Sequence, residues 1–404
     1  MIITLNRMQQ AGFEWAKKWW SDGNEQIFKI AGYAGTGKTY LSGMIAQELA
    51  DNRIAFCAYT GKAALVMQQR GMPATTIHQL IYNTETRLVP YEDDEGNLKL
   101  KKKLVTTLKE CLDPKPSIIL VDEASMVDKK IMRDLLSFDI PIIAVGDPFQ
   151  LPPVSGDESD MLADPDVTLD EIMRQGEGSA IAYLAEKIRK NRPLQEDESA
   201  PGCIWQMPKE IIRDEYQKDM FAWADQIIAG RNATVAKVNE QARQHLGFIG
   251  KLPVPGDKLI CKKNSWDTIL VDGKLPTALV NGLIGYCTSV DQREKSESVP
   301  WRDKPIIGTE HLLNLRPVFE ETAEFKELKY NPAALWETKQ ARGNLKGIIF
   351  QFGYCITCHA AQGSEWDNVL LYDDSWYDSN DPMFQARWRY TGVTRAAKRL
   401  VWLR

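Results

Sequence analysis

A glycine-rich segment between an apolar run and a helix-forming run constrains the fold of this chain more than any other feature. Residues 32–39 read GYAGTGKT and fit the phosphate-binding pattern G-x-x-x-x-G-K-[ST]. Gly32, Gly35 and Gly37 let backbone amides point at a polyphosphate, because these positions carry no side chain that would block its approach. The pattern works when a strand leads into it and a helix leaves it, so it predicts a strand–loop–helix unit of an α/β fold.

The polar residues of this loop predict its chemistry. Lys38 would place a point charge on the β and γ phosphates, and the Thr39 hydroxyl is short enough to ligate Mg²⁺ at the first turn of the helix. Thr36 belongs to the same phosphate-cradling loop. The sequence therefore predicts a nucleotide-hydrolysing domain, with a chance match to the pattern as the minor alternative.

Strand-like and helix-like runs alternate around the loop. Apolar runs at 27–31, 54–59, 117–121 and 140–145 are typical of buried strands, and apolar residues at helical spacing follow in 40–50. This alternation predicts a parallel sheet covered by helices. Such sheets bind ligands beyond the carboxyl ends of their strands, where the phosphate loop also begins.

Two adjacent acids follow the third of these runs. Asp122 and Glu123 point in different directions at a strand end, so one can serve the metal and the other the water. We expect Asp122 to hold Mg²⁺ through its water shell and Glu123 to orient and deprotonate the attacking water. Acid pairs also occur on plain surfaces, but the preceding Ile118–Val121 run favours the site.

Composition bounds the class of protein. The 404 residues, 44% of them apolar, suffice for two or more domains with real cores. No apolar run of 18 residues and no signal peptide is found, and the odd number of cysteines, 7, is typical of reduced core thiols, so we expect a soluble cytoplasmic protein without membrane partners. A net charge of −5 means that any nucleic acid is held in a local channel.

Two longer strings resemble a known family. Residues 122–126 (DEASM) and 146–154 (GDPFQLPPV) resemble motifs II and III of the superfamily 1 helicases. Within that superfamily the strings resemble those of the RecD/Dda-like branch, superfamily 1B, and the resemblance extends from Leu5 to Trp402. It implies a motor that hydrolyses ATP with Mg²⁺, moves 5′ to 3′ along single-stranded DNA and unwinds the duplex ahead.

The resemblance also implies roles in nucleotide binding. Gln9 lies in a segment similar to the Q motif and would contact the adenine, although Asn6 replaces the usual threonine. Gln150 would sense the γ phosphate. Arg174, in a segment similar to motif IV, and Arg395, in one similar to motif VI, would reach the same phosphate as catalytic charges. A plain surface cation is the alternative for Arg174.

DNA contacts are implied in the same way. Thr60 and Lys62 match motif Ia, His78 follows in the next DNA-contacting segment, and Asn232 matches motif IVa. These side chains would touch the backbone of the strand, which needs only well-placed donors. A core histidine is the alternative for His78.

The string CITCH at 355–359 has two interpretations. It matches the C-x-x-C-H attachment signature of c-type haem, and a C-x-x-C redox pair is a further alternative. The continuation AAQGSE makes the whole string resemble helicase motif V. In that interpretation Thr357 and His359 would contact DNA, and Ala360 stands where the family usually has lysine.

The end of the motif V string would connect DNA to the nucleotide. Gln362, Gly363 and Glu365 are the residues that the resemblance assigns to the nucleotide side.

The family layout predicts two tandem RecA-like P-loop motor domains with parallel sheets and two insertions. The first motor domain would span 1–170, with a β-hairpin pin at about 84–112. The second would combine 171–254 and 346–404, and 255–345 would form an inserted SH3-like β-barrel. A surface hairpin is the alternative for the pin, and core or surface packing is the alternative for a base contact by Trp266 or Trp301.

The activity has its own alternatives and partners. A translocase that displaces bound proteins, or a motor acting on RNA, would share the same motifs. Expected partners are single-stranded and forked DNA, with a single-strand-binding protein or other replication, recombination or repair proteins of a bacterial or phage-infected cell. We expect the chain to work as a monomer.

Overall fold

The computed structural model describes most of the chain and divides it into two compact units. The described residues are 5–50, 53–92, 98–152, 159–171, 178–194, 200, 202–208, 217–271, 273, 277–297, 306–335, 347–374 and 381–404. Unit 1 comprises Met1–Thr60, Arg70–Pro148 and Pro152–Glu171, and unit 2 comprises Gly61–Gln69, Phe149–Leu151 and Ile172–Arg404.

Unit 1 is built on a six-stranded parallel sheet with the order β3-β2-β6-β7-β1-β8. Its strands are β1 (Ile27–Gly32), β2 (Ile54–Ala58), β3 (Thr75–Thr76), β4 (Tyr82–Glu92), β5 (Leu98–Leu108), β6 (Ile118–Asp122), β7 (Ile142–Gly146) and β8 (Val167–Leu169). The helices of this part of the chain are α1 (Arg7–Asp22), α2 (Lys38–Leu49), α3 (Gly61–Gln69, within unit 2), α4 (Ile77–Ile81) and α5 (Lys129–Leu136).

Continuous apolar strands form the centre of this sheet. The sequences IILV in β6 and IIAVG in β7 are buried throughout, as expected for parallel strands covered on both faces. The predicted α/β class with a parallel sheet is confirmed, with strand boundaries shifted by one or two residues. The carboxyl ends of β1, β6 and β7 therefore share one edge, which carries the phosphate loop and the acid pair.

Strands β4 and β5 pair with each other and form a separate two-stranded sheet. Their antiparallel register runs from Tyr82 opposite Leu108 to Glu92 opposite Leu98. This hairpin covers the segment predicted as a pin. Its tip, residues 93–97, lies outside the described residues.

Unit 2 contains a second parallel sheet of five strands with the order β18-β10-β19-β20-β9. The strands of unit 2 are β9 (Ile204–Met207), β10 (Gln226–Ala229), β11 (Lys258–Cys261), β12 (Ser265–Ile269), β13 (Ala278–Leu279), β14 (Ile284–Glu297), β15 (Ile306–Pro317), β16 (Phe325–Tyr330), β17 (Phe350–Phe352), β18 (Cys355–Thr357), β19 (Trp366–Tyr372) and β20 (Ala396–Leu403). Its further helices are α6 (Gly178–Arg189), α7 (Gln217–Trp223), α8 (Asn232–His245), α9 (Cys358–Ala361) and α10 (Pro382–Val393).

A five-stranded antiparallel sheet, β16-β15-β14-β11-β17, and the pair β12-β13 occupy the segment predicted as an inserted domain. The predicted Asn281-Gly282 turn lies between β13 and β14, and Gly282 has a φ of 89°, which glycine adopts without strain. One apolar cluster contains residues of both large sheets of unit 2. The SH3-like barrel and the domain boundaries remain predictions; Trp301 and the side chain of Trp266 lie outside the described residues.

In the portion of the chain that the structure describes, no helix combines the length and the apolar character needed to cross a bilayer.

Candidate nucleotide and DNA site

The phosphate loop has the backbone that its glycines predict. Gly35 and Gly37 have φ values of 78° and 79°, in the left-handed region that glycine adopts at no steric cost. Gly37 is the N-cap of α2, so the first amides of that helix point out of the loop. A Cβ at Gly32 would lie 2.7 Å from Lys38 Cγ, so a side chain at this position would displace the lysine.

The interior of the loop fits an anion. Lys38 Nζ donates to the carbonyl of Tyr33 at 2.9 Å, and the Thr36 hydroxyl donates to the same carbonyl at 2.8 Å. The Lys38 contact is exchangeable, because an ammonium bonds more strongly to a phosphate oxygen than to a neutral carbonyl. The helix N-terminus and the lysine together present positive charge to one point.

The metal-binding prediction concerns two oxygen ligands in unit 1. The Thr39 hydroxyl donates to Asp122 Oδ2 at 3.3 Å, and Asp122 Oδ1 accepts from the Glu123 amide at 2.9 Å. Burial raises the pKa of Asp122, while hydrogen bonding from Glu123 and the charge of Lys38 lower it. A hydroxyl and a carboxylate are hard ligands that suit Mg²⁺, and the remaining coordination would come from phosphate oxygens and water.

Glu123 stands out by its backbone. Its φ and ψ of 54° and 42° place a non-glycine residue in the left-handed region directly after β6. Gly146, at the end of the neighbouring β7, makes room for this turn, since a Cβ there would lie 3.1 Å from the amides of Ala124 and Ser125. Asp122 thus ends a strand while Glu123 has a left-handed backbone, so the two neighbouring acids differ in conformation.

Gln9 joins helix α1 to the phosphate loop. Its Nε2 donates to the carbonyl of Thr36 at 3.1 Å, and its Oε1 accepts from the Asn6 amide at 3.0 Å. Asn6 caps the helix reciprocally, so asparagine supplies the cap that the usual threonine would provide. Both ends of the Gln9 amide are thus engaged inside unit 1, beside the loop that the adenine prediction requires.

Arg395 is buried in unit 2 and held by three hydrogen bonds. Its guanidinium donates to the carbonyls of Thr391 and Ser364 and to the Thr394 hydroxyl, each at 3.0 Å. The contact with Ser364 joins the motif VI segment to the motif V segment. A planar guanidinium held in this way is oriented before it meets any phosphate. Arg174, its predicted companion, lies outside the described residues.

Three residues of the motif III string pack within unit 2. The Leu151 amide donates to the Thr391 hydroxyl at 3.1 Å, and the Leu151 carbonyl accepts from Gln362 Nε2 at 3.0 Å. Phe149 meets Tyr390 edge to face at 5.2 Å. The sequence assigned this string to the nucleotide, and the structure adds a direct link from it to the residues around Arg395.

In the part of the chain that the structure describes, buried polar oxygens without partners lie in the same two segments that Leu151 connects. Considering only the described residues, Oε1 of Gln150, Oε1 of Gln362 and Oγ of Ser364 have no hydrogen-bond partner. An unpaired buried acceptor is costly and commonly marks a place for a bound water or ligand. Gly363, next to Gln362, has a φ of 71°, and Glu365 is exposed.

The predicted DNA contacts differ in exposure. His78 and Asn232 are exposed, and Thr60, Thr357 and His359 are half-buried. Thr357 also caps α9 by accepting from the amide of residue 360 at 3.2 Å. The exposed pair is free to meet a strand directly, whereas the Thr357 hydroxyl already has a structural partner.

Lys62 has a special environment. Its Nζ lies 4.7 Å from the centre of the Trp366 ring, and burial lowers the pKa of Lys62 to about 7, with the charges of Lys258 and Arg395 acting in the same direction. A contact of this kind favours the charged form through the ring quadrupole. No local sequence pattern pointed to the tryptophan partner.

The two cysteines of the C-x-x-C-H string are buried side chains. Both are fully enclosed, and burial raises the pKa of Cys355 and brings that of Cys358 to about 12. Thioether formation and disulfide exchange need an accessible thiolate, so this arrangement does not suit haem attachment or redox exchange. The motif V interpretation does not require an accessible cysteine thiolate.

Sequence reasoning missed a second pair of acids. Asp373 and Asp374 follow the buried strand β19, which is the same signal that singled out Asp122 and Glu123, and both are almost fully buried.

Two family models match separate parts of the chain. One, described as an AAA domain, matches residues 9–201, and the other, described as a UvrD-like helicase C-terminal domain, matches residues 352–403. They cover the phosphate-loop region and the motif V to VI region respectively.

Relatives that match nearly the whole of this chain carry helicase names. ATP-dependent DNA helicase dda of Enterobacteria phage T4 is 24% identical over 427 aligned residues, covering 91% of this chain and 92% of that protein. ATP-dependent RecD2 DNA helicase of Deinococcus radiodurans is 25% identical over 392 residues, covering 93% of this chain and 46% of that protein. The RecD2 protein is thus about twice as long as this chain.

Solved structures with the same fold are also helicases. Pif1 helicase from Candida albicans matches with a TM-score of 0.54 at 17% identity, covering 100% of this chain and 94% of that one. Pif1 helicase from Bacteroides, in complex with ADP-AlF3 and single-stranded DNA, matches with a TM-score of 0.56 at 18% identity, covering 99% and 92%. At these identities the likeness establishes the fold alone.

Proposed function

Because the chain belongs to the RecD/Dda-like branch of the superfamily 1 helicases and is an ATP-dependent DNA helicase, we propose that it couples Mg-ATP hydrolysis in unit 1 to 5′ to 3′ movement along single-stranded DNA. The observation that supports this most directly is the edge of the unit 1 sheet. There the phosphate loop and Thr39 follow β1, Asp122 and the strained Glu123 turn stand at the end of β6, and β7 lies between these two strands. The movement unwinds duplex DNA ahead.

The residues of the chain divide the hydrolytic work. Lys38 and the loop amides bind the phosphates, and Thr39 and Asp122 would hold Mg²⁺, which would neutralise charge on the phosphate oxygens. Glu123 orients the attacking water in line with the scissile bond and accepts a proton from this water. Gln150 and Arg174 contact the γ phosphate, and Arg395 stabilises the charge that spreads over that phosphate in the transition state.

DNA contacts come from side chains that donate to phosphates. His78 and Asn232 are the exposed candidates, and Thr60, Lys62, Thr357 and His359 complete the set. The β4–β5 hairpin serves as the pin that separates strands, and the antiparallel sheet of unit 2 serves as an SH3-like module. We place the protein in the cytoplasm, acting as a monomer alongside single-strand-binding, replication or recombination proteins.

A strand-displacement assay tests the activity and its direction. Duplexes with a 5′ tail, a 3′ tail or blunt ends are incubated with the protein, Mg²⁺ and ATP, and the released strand is measured. We expect displacement from the 5′-tailed substrate alone. Displacement confined to 3′ tails would overturn the direction, and an ATPase rate indifferent to DNA would overturn the motor.

Two related functions share the same motifs. A translocase that strips bound proteins would hydrolyse ATP on single strands without releasing a paired strand, and an RNA motor would be stimulated by RNA in place of DNA. Running the ATPase assay with matched DNA and RNA oligonucleotides separates these outcomes.

A further inference from the structure

Two adjacent buried carboxylates, Asp373 and Asp374, stand at the end of β19 with different partners. Asp374 accepts the Gly230 amide at 2.5 Å through Oδ1 and the Arg231 amide at 3.3 Å through Oδ2. Asp373 accepts from Arg389 Nε at 2.8 Å. They are 1% and 2% exposed, so their charges depend on these partners and hold them in fixed positions.

The Asp374 side leads to the DNA candidate Asn232. Gly230 and Arg231 form the turn between β10 and α8, and Asn232 is the first, exposed residue of that helix. A Cβ at Gly230 would lie 2.6 Å from Asp374 Oδ1, so the turn fits this carboxylate only without a side chain. Asp374 thus sets where the amino end of α8, and with it Asn232, is presented.

The Asp373 side leads to the catalytic candidate Arg395. Arg389 lies on α10, and the segment that follows this helix carries Arg395, whose guanidinium bonds back to the Thr391 carbonyl. The Asp373 amide donates to the Leu403 carbonyl at 2.8 Å, which anchors the acid to β20 as well. The Asp373–Arg389 ion pair therefore fixes the position of α10 against the sheet.

We propose that Asp373 and Asp374 are positioning residues for DNA-stimulated ATP hydrolysis: Asp374 orients the DNA contact at Asn232, and Asp373 orients the segment that carries Arg395. This inference rests on the proposed function. The two carboxylates are neighbours in the chain, with consecutive Cα atoms about 3.8 Å apart, but each holds a different element, so the loss of either one should affect a different step.

The Asp374 arm of the test measures DNA affinity through the ATPase rate. In Asp374→Ala, the Gly230 and Arg231 amides lose their acceptor, and we expect the DNA concentration for half-maximal stimulation to rise about tenfold while the DNA-saturated rate stays within about twofold. In Gly230→Ala, the new Cβ would push the Asp374 carboxylate away from the turn, so this variant should show the same rise in the DNA concentration for half-maximal stimulation. Asp374→Asn retains one acceptor oxygen and should give a smaller rise, which keeps the test valid if the alanine variant does not fold.

The Asp373 arm measures turnover. Arg389→Ala and Asp373→Asn break the ion pair, and we expect the DNA-saturated rate to fall about tenfold with little change in the half-stimulating DNA concentration. Arg389→Lys retains a charge beside Asp373 and should recover part of the rate. Asp367→Asn is the matched control, because Asp367 also lies on β19 but forms an exposed pair with Lys398.

The outcomes separate this inference from the proposed function. A wild-type ATPase that DNA does not stimulate overturns both. If DNA stimulates the wild type but the Asp374 and Asp373 variants change both parameters together, in step with a lower thermal unfolding temperature, the acids are structural only and the inference is wrong. Variants indistinguishable from Asp367→Asn overturn it equally.

Discussion

At the scale of single residues, the proposed chemistry depends on three side chains that are each positioned by their local surroundings. Glu123 is placed by a left-handed turn, Lys38 by the glycines of its loop and Arg395 by three hydrogen bonds. Each of these residues has one proposed role that a single substitution can remove. The site therefore offers tests in which binding and turnover separate.

Glu123→Gln should abolish turnover while ATP binding stays within a few-fold of wild type, because the amide keeps the shape of the side chain but cannot take the proton from water. Lys38→Ala is the contrasting variant and should weaken ATP binding as well, since it removes the charge on the phosphates. Steady-state ATPase rates and equilibrium binding of a fluorescent ATP analogue measure the two effects. Normal turnover in the Glu123 variant would refute its role as the base.

Arg395→Ala should reduce DNA-stimulated hydrolysis by about 10³-fold or more and leave ATP bound, as expected for a residue that acts on transition-state charge. Arg395→Lys should rescue little, because an ammonium cannot reproduce the fork that contacts Thr391 and Ser364. Thermal unfolding of each variant controls for the loss of these buried hydrogen bonds. Hydrolysis close to the wild-type rate would count against the catalytic role.

At the scale of elements, the β4–β5 hairpin has a proposed role in unwinding but carries none of the proposed nucleotide-binding residues. Its two 11-residue strands pair with each other and with no other strand among the described residues. A two-stranded ribbon can be shortened in register without disturbing the parallel sheet.

Replacing residues 88–102 by an Asn-Gly turn, which joins the paired positions Arg87 and Lys103, should lower duplex unwinding about tenfold or more. Single-strand-stimulated ATPase should remain within about twofold, because the nucleotide residues lie on other elements. Strand displacement and ATPase rates are measured on the same preparation. If the truncated protein unwinds duplex DNA as fast as the wild type, the hairpin is an ordinary surface hairpin and the pin role is wrong.

At the scale of the molecule, buried polar networks join the parts of unit 2. Arg243 and Asp257 form an ion pair at 2.8 Å, and Tyr354 donates to Asp257 at 3.0 Å. Lys258 donates to the Gln226 side chain at 3.0 Å and to the Asp225 carbonyl. These contacts tie the first strand of the antiparallel sheet to the parallel sheet.

Lys258 makes this junction sensitive to pH. Burial lowers the pKa of Lys258 from its usual 10.5 to about 8, so between these values the unfolded chain holds a proton that the folded chain has lost. The contribution to stability therefore rises with pH across this window, by up to about 3 kcal/mol, and is constant below pH 8.

Lys258→Met should remove that rise. The free energy of unfolding of wild type minus that of the variant, from denaturant titrations between pH 7 and 10.5, should be flat below pH 8 and then increase. Lys398→Met, at an exposed pair, is the control and should give a flat difference throughout. A flat difference for Lys258→Met as well would show that its ammonium titrates as in the unfolded chain.

The sequence by itself determined the α/β class, the phosphate loop and the acid pair. Each is encoded over a few consecutive residues, because glycine conformation, strand apolarity and carboxylate chemistry are local properties. It also determined the order of the helicase-like strings, and with it the family.

Only the tertiary structure decided which partners these residues have. Gln9 is engaged by Thr36, and Gly230 is held by Asp374, a residue 144 positions away. Such contacts depend on how strands are ordered in a sheet, which no local pattern records. The acids at 373–374 carry the same local signal as Asp122 and Glu123, but only the contacts of β19 with β10 and of Asp373 with α10 show that they join two motifs.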